Sequence, residues 1–416
     1  MSGPCGGEGA LAGLRVVELA NERCAWAGKL LADMGADVIL VEPPAGDATR
    51  GWGPFLDDRP GPDRSLHWWH NHTSKRGIVL DLEQAADRAT LRRLIATADV
   101  FLEAEPPGAL AARDLDHPAL CQANPRLVYC SITPFGRSGP RKDEHATDLT
   151  VLAAGGPVWM NGYDDHSLAP MRGLGNQGFQ TGCHYAVMSI LTAILWRGAS
   201  GEGQHIDVSL HAAANVTTEA GSYHWLVARE TVQRQTGRHA GMMVSMPSQQ
   251  QCADGRWVNT GFPPRKPEDY AKLLGWLRAL GLEKRLPEAV FLQLGAEQES
   301  IDLSKIGLDD QVTAIFGAGR EALVLIAQTV SAQAFFVGAQ KIGLAVGAIL
   351  SPEEAYEDDH FKARGMQVEV EHPELGRSFR YPGAPYALEK GAWRIARRAP
   401  RLGEHTEEVL AELGAN

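Results

Sequence analysis

Three histidines, His67, His70 and His72, lie within six residues of one another, and two tryptophans stand between them. Histidine is a common metal ligand, so one interpretation of this segment is a metal site. No carboxylate or thiol is adjacent in the sequence to complete a ligand set. We therefore predict no metal, and we favour an aromatic lining for a substrate or for a subunit contact.

Two cysteines could in principle act as nucleophiles, because a thiolate attacks acyl groups readily. Cys183 and Cys252 have no recognisable base partner, so we assign them no catalytic role. The chain contains no CxxC pair, which argues against a zinc site or a disulfide framework and predicts reduced thiols. The six cysteines are Cys5, Cys24, Cys121, Cys130, Cys183 and Cys252.

The elements that must position such side chains alternate between strand and helix patterns over the first 130 residues. Short apolar runs predict buried strands, and this alternation indicates an α/β domain with a mainly parallel sheet. The turn after the first strand, residues 20–23, lacks the GxGxxG fingerprint, which argues against a standard dinucleotide site. We predict strands over residues 14–19, 37–42, 78–82, 99–103, 127–132 and 205–210, and a long helix over 181–197.

Composition narrows the class of protein. With 416 residues, 44% of them hydrophobic and 22% charged, the chain can form two or three globular domains. The net charge of −11 and the lack of a basic block argue against nucleic-acid binding. Two runs without charged residues, 173–196 and 322–340, contain too many polar side chains to span a bilayer. We expect a cytoplasmic protein that binds neither nucleic acid nor a membrane.

Six segments, in order and spread over nearly the whole chain, resemble the class III CoA-transferases, the CaiB/BaiF or formyl-CoA transferase-like family. They are LLADMGADVILVEPPAGDATRGW (30–52), KRGIVLDL (75–82), ANPRLVYCSITPFGRSGP (123–140), SGEGQHIDVSL (200–210), ILSPEEAYEDDHFKARGM (349–366) and PRLGEHTEEVLAELG (400–414). The resemblance implies a Rossmann-like large domain and a second, smaller α/β domain, in two subunits that thread through each other as interlocked rings. We expect residues 1–220 to begin the large domain, 221–345 to form the small domain, and 346–416 to return to the large domain.

The chemistry that this resemblance implies is transfer of CoA from an acyl-CoA, such as succinyl-CoA, to a carboxylic acid. A family aspartate attacks the thioester, which splits one difficult exchange into easier covalent steps. Aligned with the family, that aspartate falls at Gly178 or Phe179, and neither can be a nucleophile. Residues 171–185 contain no acidic side chain at all. A slip in the alignment leaves Asp164 or Asp165 as the open alternative.

The missing carboxylate predicts a supporting subunit that works beside a homologous catalytic subunit, and the chain looks like the nucleophile-lacking subunit of the two-subunit benzylsuccinate CoA-transferases. Two other functions stay open. A protein with this fold could catalyse a different acyl-CoA reaction, as a lyase, dehydratase or isomerase. Alternatively, the chain could be a non-catalytic CoA-binding or assembly protein. Co-purification with a partner that carries the aspartate favours the first function, and turnover by the chain alone favours the second.

The resemblance also predicts five CoA-binding residues, since lysine and arginine suit the phosphate groups of coenzyme A. Lys75 and Arg76 match a family pair that borders the nucleotide site, with a solvated basic turn as the alternative. Arg137 lies in a loop where the family has a polar or basic residue near the CoA. Arg50 matches a family arginine, with the alternative that it holds its own loop, and Arg113 could compensate for an arginine that the family has one place away.

At other positions where the resemblance implies contacts to CoA, this sequence has different residues. Pro43 stands where the family often has a basic residue after the second strand, and residues 103–108 read EAEPPG in place of ENFRPG. Glu105 adds a negative charge there, which opposes phosphate binding. We therefore expect the chain to bind CoA poorly by itself.

Overall fold

The computed structural model describes residues 9–391 and 393–415, so Cys5 lies outside the described part of the chain. The described residues divide into two units. The first unit contains the chain up to Trp159, Met171–Tyr223 and the chain from Tyr356 onward. The second contains Met160–Pro170 and His224–Ala355. The sequence predicts a small domain over residues 221–345. The second unit also contains residues 160–170, which that prediction does not include.

A parallel sheet organises the first unit. Its strands are β1 (Arg15–Leu19), β2 (Asp37–Glu42), β3 (Arg76–Val79), β4 (Val100–Glu103), β5 (Val128–Thr133) and β6 (Gln204–Ser209). Within the described chain their order is β3-β2-β1-β4-β5-β6, and every neighbouring pair is parallel. The first five strands are nearly continuous apolar runs, as expected when helices cover both faces of a parallel sheet.

Helices connect these strands and lead into the second unit. They are α1 (Ala25–Asp33), α2 (Leu66–Asn71), α3 (Ala85–Ala96), α4 (His117–Ala123), α5 (Asp148–Gly155), α6 (Gln177–Ser200), α7 (Leu210–Val216) and α8 (Ala220–Ala228). Apolar side chains of α1, α5, α6 and α7 cover one face of the sheet, while α3 and α4 cover the other.

The second unit has its own core, formed mainly by helices. Its strands are β7 (Gln233–Gln235), β8 (Arg238–Gly241), β9 (Gln249–Gln251), β10 (Trp257–Asn259) and β11 (Gly347–Ala348). Its helices are α9 (Pro267–Ala279), α10 (Ala289–Ala296), α11 (Asp310–Thr329), α12 (Ala332–Lys341) and α13 (Pro352–Tyr356), the last of which ends at the boundary with the first unit.

The C-terminal segment returns to the first unit. It comprises α14 (Asp359–Ala363), the antiparallel pair β12 (Gln367–His372) and β13 (Arg377–Pro382), and α15 (Thr406–Ala415). Val409 and Leu413 of α15 join the core on the α3 side of the sheet. Short 3-10 helices occur at Ala48–Gly51, Leu56–Asp58, Ala111–Arg113, Glu283–Arg285, Leu303–Lys305 and Pro373–Leu375.

The predicted α/β class with a parallel sheet is confirmed, and the predicted strands differ from the observed ones by a few residues at their ends. The largest local error concerns α6, which begins at Gln177 and not at residue 181. Its first turn receives a cap from Asp148, whose carboxylate accepts a hydrogen bond from the Phe179 backbone N–H at 2.9 Å. A cap that lies 31 residues away in the chain leaves no local signature, so the predicted start of the helix lies too far along the chain.

Two negative findings hold for the part of the chain that the structure describes. The five described cysteines are free. Among the helices within residues 9–391 and 393–415, none combines the length and the hydropathy that a bilayer-spanning segment needs.

Candidate active site

The order of the strands fixes where a ligand can enter the first unit. Connections run to opposite sides of β1 and β4, which are neighbours at the centre of the sheet. In open α/β sheets, ligands bind at such a switch point, outside the carboxyl ends of the strands. A cleft of about 440 Å³ opens there, lined by residues that follow β1, β2, β3 and β4, and Arg113 is one of them.

Acidic side chains outnumber basic ones around this cleft. Arg113 is the basic residue among the lining side chains that the structure describes, and its Nη2 donates to Glu83 Oε1 at 2.6 Å. Asp47, Asp81 and Glu105 also line the cleft. A cluster of carboxylates repels phosphate, and the arginine that could attract it is already paired. The geometry thus leaves little positive charge for a nucleotide at this point.

Arg50 is held inside its own loop. Its Nε and Nη2 donate to the two oxygens of Glu42 at 2.6 and 2.7 Å, and its guanidinium lies 3.8 Å from the ring centre of Trp68. Nη2 also donates to the Pro400 backbone oxygen at 3.1 Å. The residue is buried, and these contacts join its loop to β2, to α2 and to Pro400.

Lys75, which the sequence analysis predicts to bind CoA, is fully buried. Its Nζ donates to Glu18 Oε1 and to the Ala25 backbone oxygen, both at 2.9 Å, and lies 3.1 Å from His72 Nδ1. Burial raises the pKa of Glu18 to about 7, although the Lys75 ammonium lowers it. Because all three contacts of Lys75 are internal, the ammonium cannot reach a ligand unless it breaks a buried ion pair.

Arg76 is likewise engaged by the protein. Its guanidinium donates to Asp37 at 2.7 and 2.9 Å, and to Glu412 and Glu408 of α15 at 2.6 and 2.9 Å. These hydrogen bonds raise the pKa of Arg76. Four of its donor bonds thus join β3 to β2 and to the C-terminal helix, which is a structural role that the sequence motif did not predict.

Arg137 differs from these residues because it keeps donors that the protein does not use. Its side chain is 19% exposed, and Nη1 donates to Glu103 Oε1 at 3.3 Å. Glu103 lies at the carboxyl end of β4 and is completely buried, which raises the pKa of its carboxyl. Asp207 accepts two bonds from the Arg137 backbone N–H, at 2.9 and 3.1 Å, and so fixes the loop. Of the predicted CoA contacts, Arg137 is the best placed to meet an anion.

The start of α6 carries no carboxylate. Gly178 and Phe179 are both buried in its first turn. A side chain at residue 178 would place its Cβ 3.1 Å from Asp148 Oδ1 and 3.2 Å from Leu152 Cγ. Asp148 itself is occupied, since Oδ1 accepts from the Phe179 N–H and Oδ2 accepts from Arg172 Nη1 at 2.9 Å. The nearest carboxylate therefore serves as a helix cap and not as a free nucleophile.

The two aspartates of the alternative alignment belong to the second unit. Asp164 accepts from Arg238 Nη1 and Nη2 at 3.0 and 2.8 Å, and this pairing lowers its pKa. Asp165 accepts from the Ser167 hydroxyl at 2.6 Å, which lowers the pKa of Asp165 as well. Both carboxylates are thus stabilised as surface anions and have none of the desolvation that activates a buried carboxylate.

The histidine segment forms a buried aromatic cluster. His72 stacks on Trp68 with ring centres 3.8 Å apart, and His70 stacks on Trp26 at 5.5 Å. Burial lowers the pKa of His70 to about 4 and lowers the pKa of His72 well below its ordinary value. Within the described residues there is no group of three side chains that could hold a metal ion.

Neither candidate cysteine is activated. Cys183 is fully buried, which raises its pKa to about 12, and its Sγ donates to the Arg23 backbone oxygen at 3.1 Å. Cys252 lies in the second unit, where burial raises its pKa as well. A thiol whose pKa is raised carries little thiolate at neutral pH, so the structure gives these side chains no nucleophilic role.

Known proteins similar to this chain carry CoA-transferase names. A family described as CoA-transferase family III matches residues 11–406. Subunit BbsE of succinyl-CoA:(R)-benzylsuccinate CoA-transferase from Thauera aromatica is 31% identical over 400 residues, which cover 96% of this chain and 93% of that protein. The chain belongs to CoA-transferase family III.

Two further relatives agree with this family assignment. The succinate–glutarate CoA-transferase of Agrobacterium fabrum is 32% identical, over 97% of this chain and 95% of its own length. The crystal structure of a CaiB/BaiF family protein from Brucella suis superposes with a TM-score of 0.77 at 26% identity, over 98% of this chain and 100% of that chain. The family predicted from the sequence motifs is thereby confirmed.

Two residues that the sequence analysis did not consider as site residues lie in the turn after β1. Glu22 and Arg23 follow β1, directly at the switch point, and both are half-buried. Burial raises the pKa of Glu22, and the charges of Asp47 and Asp148 raise it further, while Arg23 lowers it. The turn that contains both residues was considered only for the glycine fingerprint that it lacks, although its place after the first strand was a sufficient signal.

Proposed function

We propose that this chain is the nucleophile-lacking subunit of a CoA-transferase that moves CoA between an acyl-CoA, such as succinyl-CoA, and a carboxylic acid. One observation carries the proposal. The first turn of α6 contains Gly178 and Phe179, and the adjacent carboxylate of Asp148 already accepts hydrogen bonds from the Phe179 N–H and from Arg172. The homologous catalytic subunit would supply the missing aspartate. BbsE, which is 31% identical to this chain, is itself named as a subunit.

The covalent steps then belong to the partner. Its aspartate would attack the thioester carbonyl and expel CoA as a thiolate, leaving a mixed anhydride with the acyl group. The thiolate would attack the aspartyl carbonyl and release the donor acid, and the acceptor acid would take up CoA by the reverse sequence. This chain would contribute binding groups, of which Arg137 is the candidate for a CoA phosphate because it is only partly buried, whereas Arg113 would first have to leave Glu83.

The interlocked-ring architecture of the family and a cytoplasmic location are part of the same proposal. Such entwined subunits bury interfaces on the order of several thousand Å². Chains that share such an interface should not separate at micromolar concentration. Sedimentation at that concentration tests this point, and a stable folded monomer would count against it.

The decisive experiment is expression of the chain alone and together with a homologous subunit that carries the aspartate. We expect no CoA transfer from succinyl-CoA by the chain alone and activity when the two are co-expressed. Hydroxylamine trapping followed by mass spectrometry should locate the covalent thioester on the partner only. A trapped thioester on this chain would contradict the proposal, and turnover without a partner would favour a different acyl-CoA reaction.

A further inference from the structure

Arg23 carries a guanidinium that the protein does not pair. Its Nε is buried without a hydrogen-bond partner, although the residue as a whole is only half-buried. Across residues 9–391 and 393–415 the structure gives this guanidinium neither a hydrogen bond nor an ion pair. Arginine keeps its charge at any physiological pH, and partial burial of an unpaired charge is costly. Arg23 is therefore poised to bind an anion that is not part of the described chain.

The backbone holds Arg23 in a fixed place at the edge of the sheet. Its N–H donates to Asn21 Oδ1 at 3.1 Å, and its carbonyl oxygen accepts from Cys183 Sγ at 3.1 Å. Cys183 lies five residues after Gly178 in α6, which corresponds to about 7.5 Å along the helix axis. The loop after β1 is thus fastened to the helix in which the family carries its nucleophile.

The carboxylates of the neighbourhood leave Arg23 unpaired. Asp148 is occupied by the Phe179 N–H and by Arg172. Glu22 is adjacent in sequence, and its pKa responds to Arg23, yet the structure gives the pair no hydrogen bond. A carboxylate that binds here from solution could accept two parallel hydrogen bonds from the planar guanidinium of Arg23.

We propose that Arg23 binds the second carboxylate of a dicarboxylic acid substrate, the one that does not receive CoA. This inference rests on the proposed function. CoA transfer converts one carboxylate into a thioester and leaves the other unchanged. A fixed guanidinium can therefore hold the acid and its CoA ester alike. The relatives described above act on succinate, glutarate and benzylsuccinate, all of which carry two carboxylates.

Binding of glutarate, measured by titration calorimetry on the full chain with any co-purified subunit, tests this assignment. Loss of a charge-assisted hydrogen bond predicts about 10- to 100-fold weaker glutarate binding in Arg23→Gln. Arg23→Lys, which keeps the charge, should retain part of the affinity. Pentanoate has the same chain length with one carboxylate, and its binding should be weak and insensitive to Arg23→Gln. Arg59→Gln removes the same charge from an exposed position and serves as the matched control.

The outcomes separate the inference from the proposed function. Equal glutarate affinity in wild type and Arg23→Gln, or no glutarate binding by the wild type, would overturn the role of Arg23 even if co-expressed subunits transfer CoA. A fall in affinity for CoA or for 3′,5′-ADP, with unchanged glutarate binding, would assign Arg23 to a phosphate and also overturn the inference. Weaker glutarate binding in Arg23→Gln supports the inference even if no CoA transfer is found, in which case only the proposed function fails.

Discussion

Two groups of basic residues lie near the sheet of the first unit, and they behave in opposite ways. On the β2–β3 side, Lys75, Arg76 and Arg50 are all paired with carboxylates of the protein. Beyond the ends of β1 and β5, Arg23 has no side-chain partner among the described residues, and Arg137 uses one donor, on Glu103, and keeps the others. The first group holds the fold together, whereas the second is available to a ligand. Residue type and sequence motif do not distinguish the two groups. They differ in whether the fold places enough carboxylates next to the basic side chain to use its donors.

The partners of the first group come from distant parts of the chain. Arg76 contacts Glu408 and Glu412, which are more than 300 residues away, and Lys75 contacts Glu18 across 57 residues. A basic pair in a family motif therefore marks a buried network as readily as a phosphate site. The predictions below test this contrast, beginning with the residue for which the two roles differ most.

We expect the largest effect from Lys75→Met. The substitution leaves the buried carboxylate of Glu18 without its ammonium partner, which should cost about 3–5 kcal/mol in the free energy of unfolding. Urea denaturation at pH 7 measures this loss. The double variant Glu18→Gln with Lys75→Met removes both charges and should recover part of the stability. An unchanged unfolding midpoint with a weakened affinity for CoA would show that Lys75 is a ligand-binding residue after all.

The next effect concerns the empty nucleophile position. Gly178→Asp puts a Cβ 3.1 Å from Asp148 Oδ1 and 3.2 Å from Leu152 Cγ, so these neighbours must move. We expect a loss of about 1–3 kcal/mol from overpacking, with like-charge repulsion added. Gly178 does not have a left-handed φ, so backbone strain does not contribute. Thermal unfolding measures the loss.

A control separates crowding from charge at this position. Gly178→Asn has nearly the same size without the charge and should cost less than Gly178→Asp, especially above pH 5, where aspartate is ionised. In the transfer assay, Gly178→Asp should give at most a trace of covalent CoA adduct, because an error of about 1 Å in position can cost on the order of a hundredfold in rate. Full activity of the lone variant would mean that Gly178 is the only defect of the site.

The third effect should appear in ligand binding and not in stability. Arg137→Ala removes a half-buried guanidinium with spare donors, and we expect about tenfold weaker CoA binding, which is about 1.4 kcal/mol. Arg141→Ala, in an exposed ion pair with Glu144, is the matched control and should change CoA affinity little. Calorimetric titration with CoA distinguishes the two. Equal affinities would remove Arg137 from the CoA site.

The sequence predicted the architecture better than it predicted the site. The largely apolar runs of β1 to β5 can be recognised in the sequence, because strands that are buried on both faces consist mostly of apolar residues. The motif match identified the family, and it predicts that the family's aspartate position falls at Gly178 or Phe179. The roles of Lys75 and Arg50 could not be predicted, since each depends on a carboxylate that only folding brings near. Arg23 was missed because its distinguishing feature is the lack of a carboxylate partner in the described part of the fold, and such a lack leaves no pattern in the sequence.

The smallest expected effect concerns Glu22, which is adjacent in sequence to Arg23. Its pKa is raised in the folded protein, by burial first and then by Asp47 and Asp148, although Arg23 opposes the shift. The stability that this group contributes is therefore complete below the pKa of the unfolded chain and is lost as the pH rises through the folded value. Glu22→Gln should accordingly be more stable than wild type at pH 7, by about 0.5 kcal/mol or less.

Unfolding midpoints of wild type and Glu22→Gln, compared at pH 4 and pH 7, test whether folding raises the pKa of Glu22. Glu202→Gln removes the same charge from an exposed loop and should leave the pH dependence of the wild type unchanged, whereas Glu22→Gln should lose the part that Glu22 contributes. The same substitution removes a competing anion next to Arg23, so it should also tighten glutarate binding. A loop that serves only the fold has no reason to keep a carboxylate that weakens it. The same pH dependence in wild type and in Glu22→Gln would mean that folding does not raise the pKa of Glu22, and the loop after β1 would then resemble the paired, structural group on the other side of the sheet.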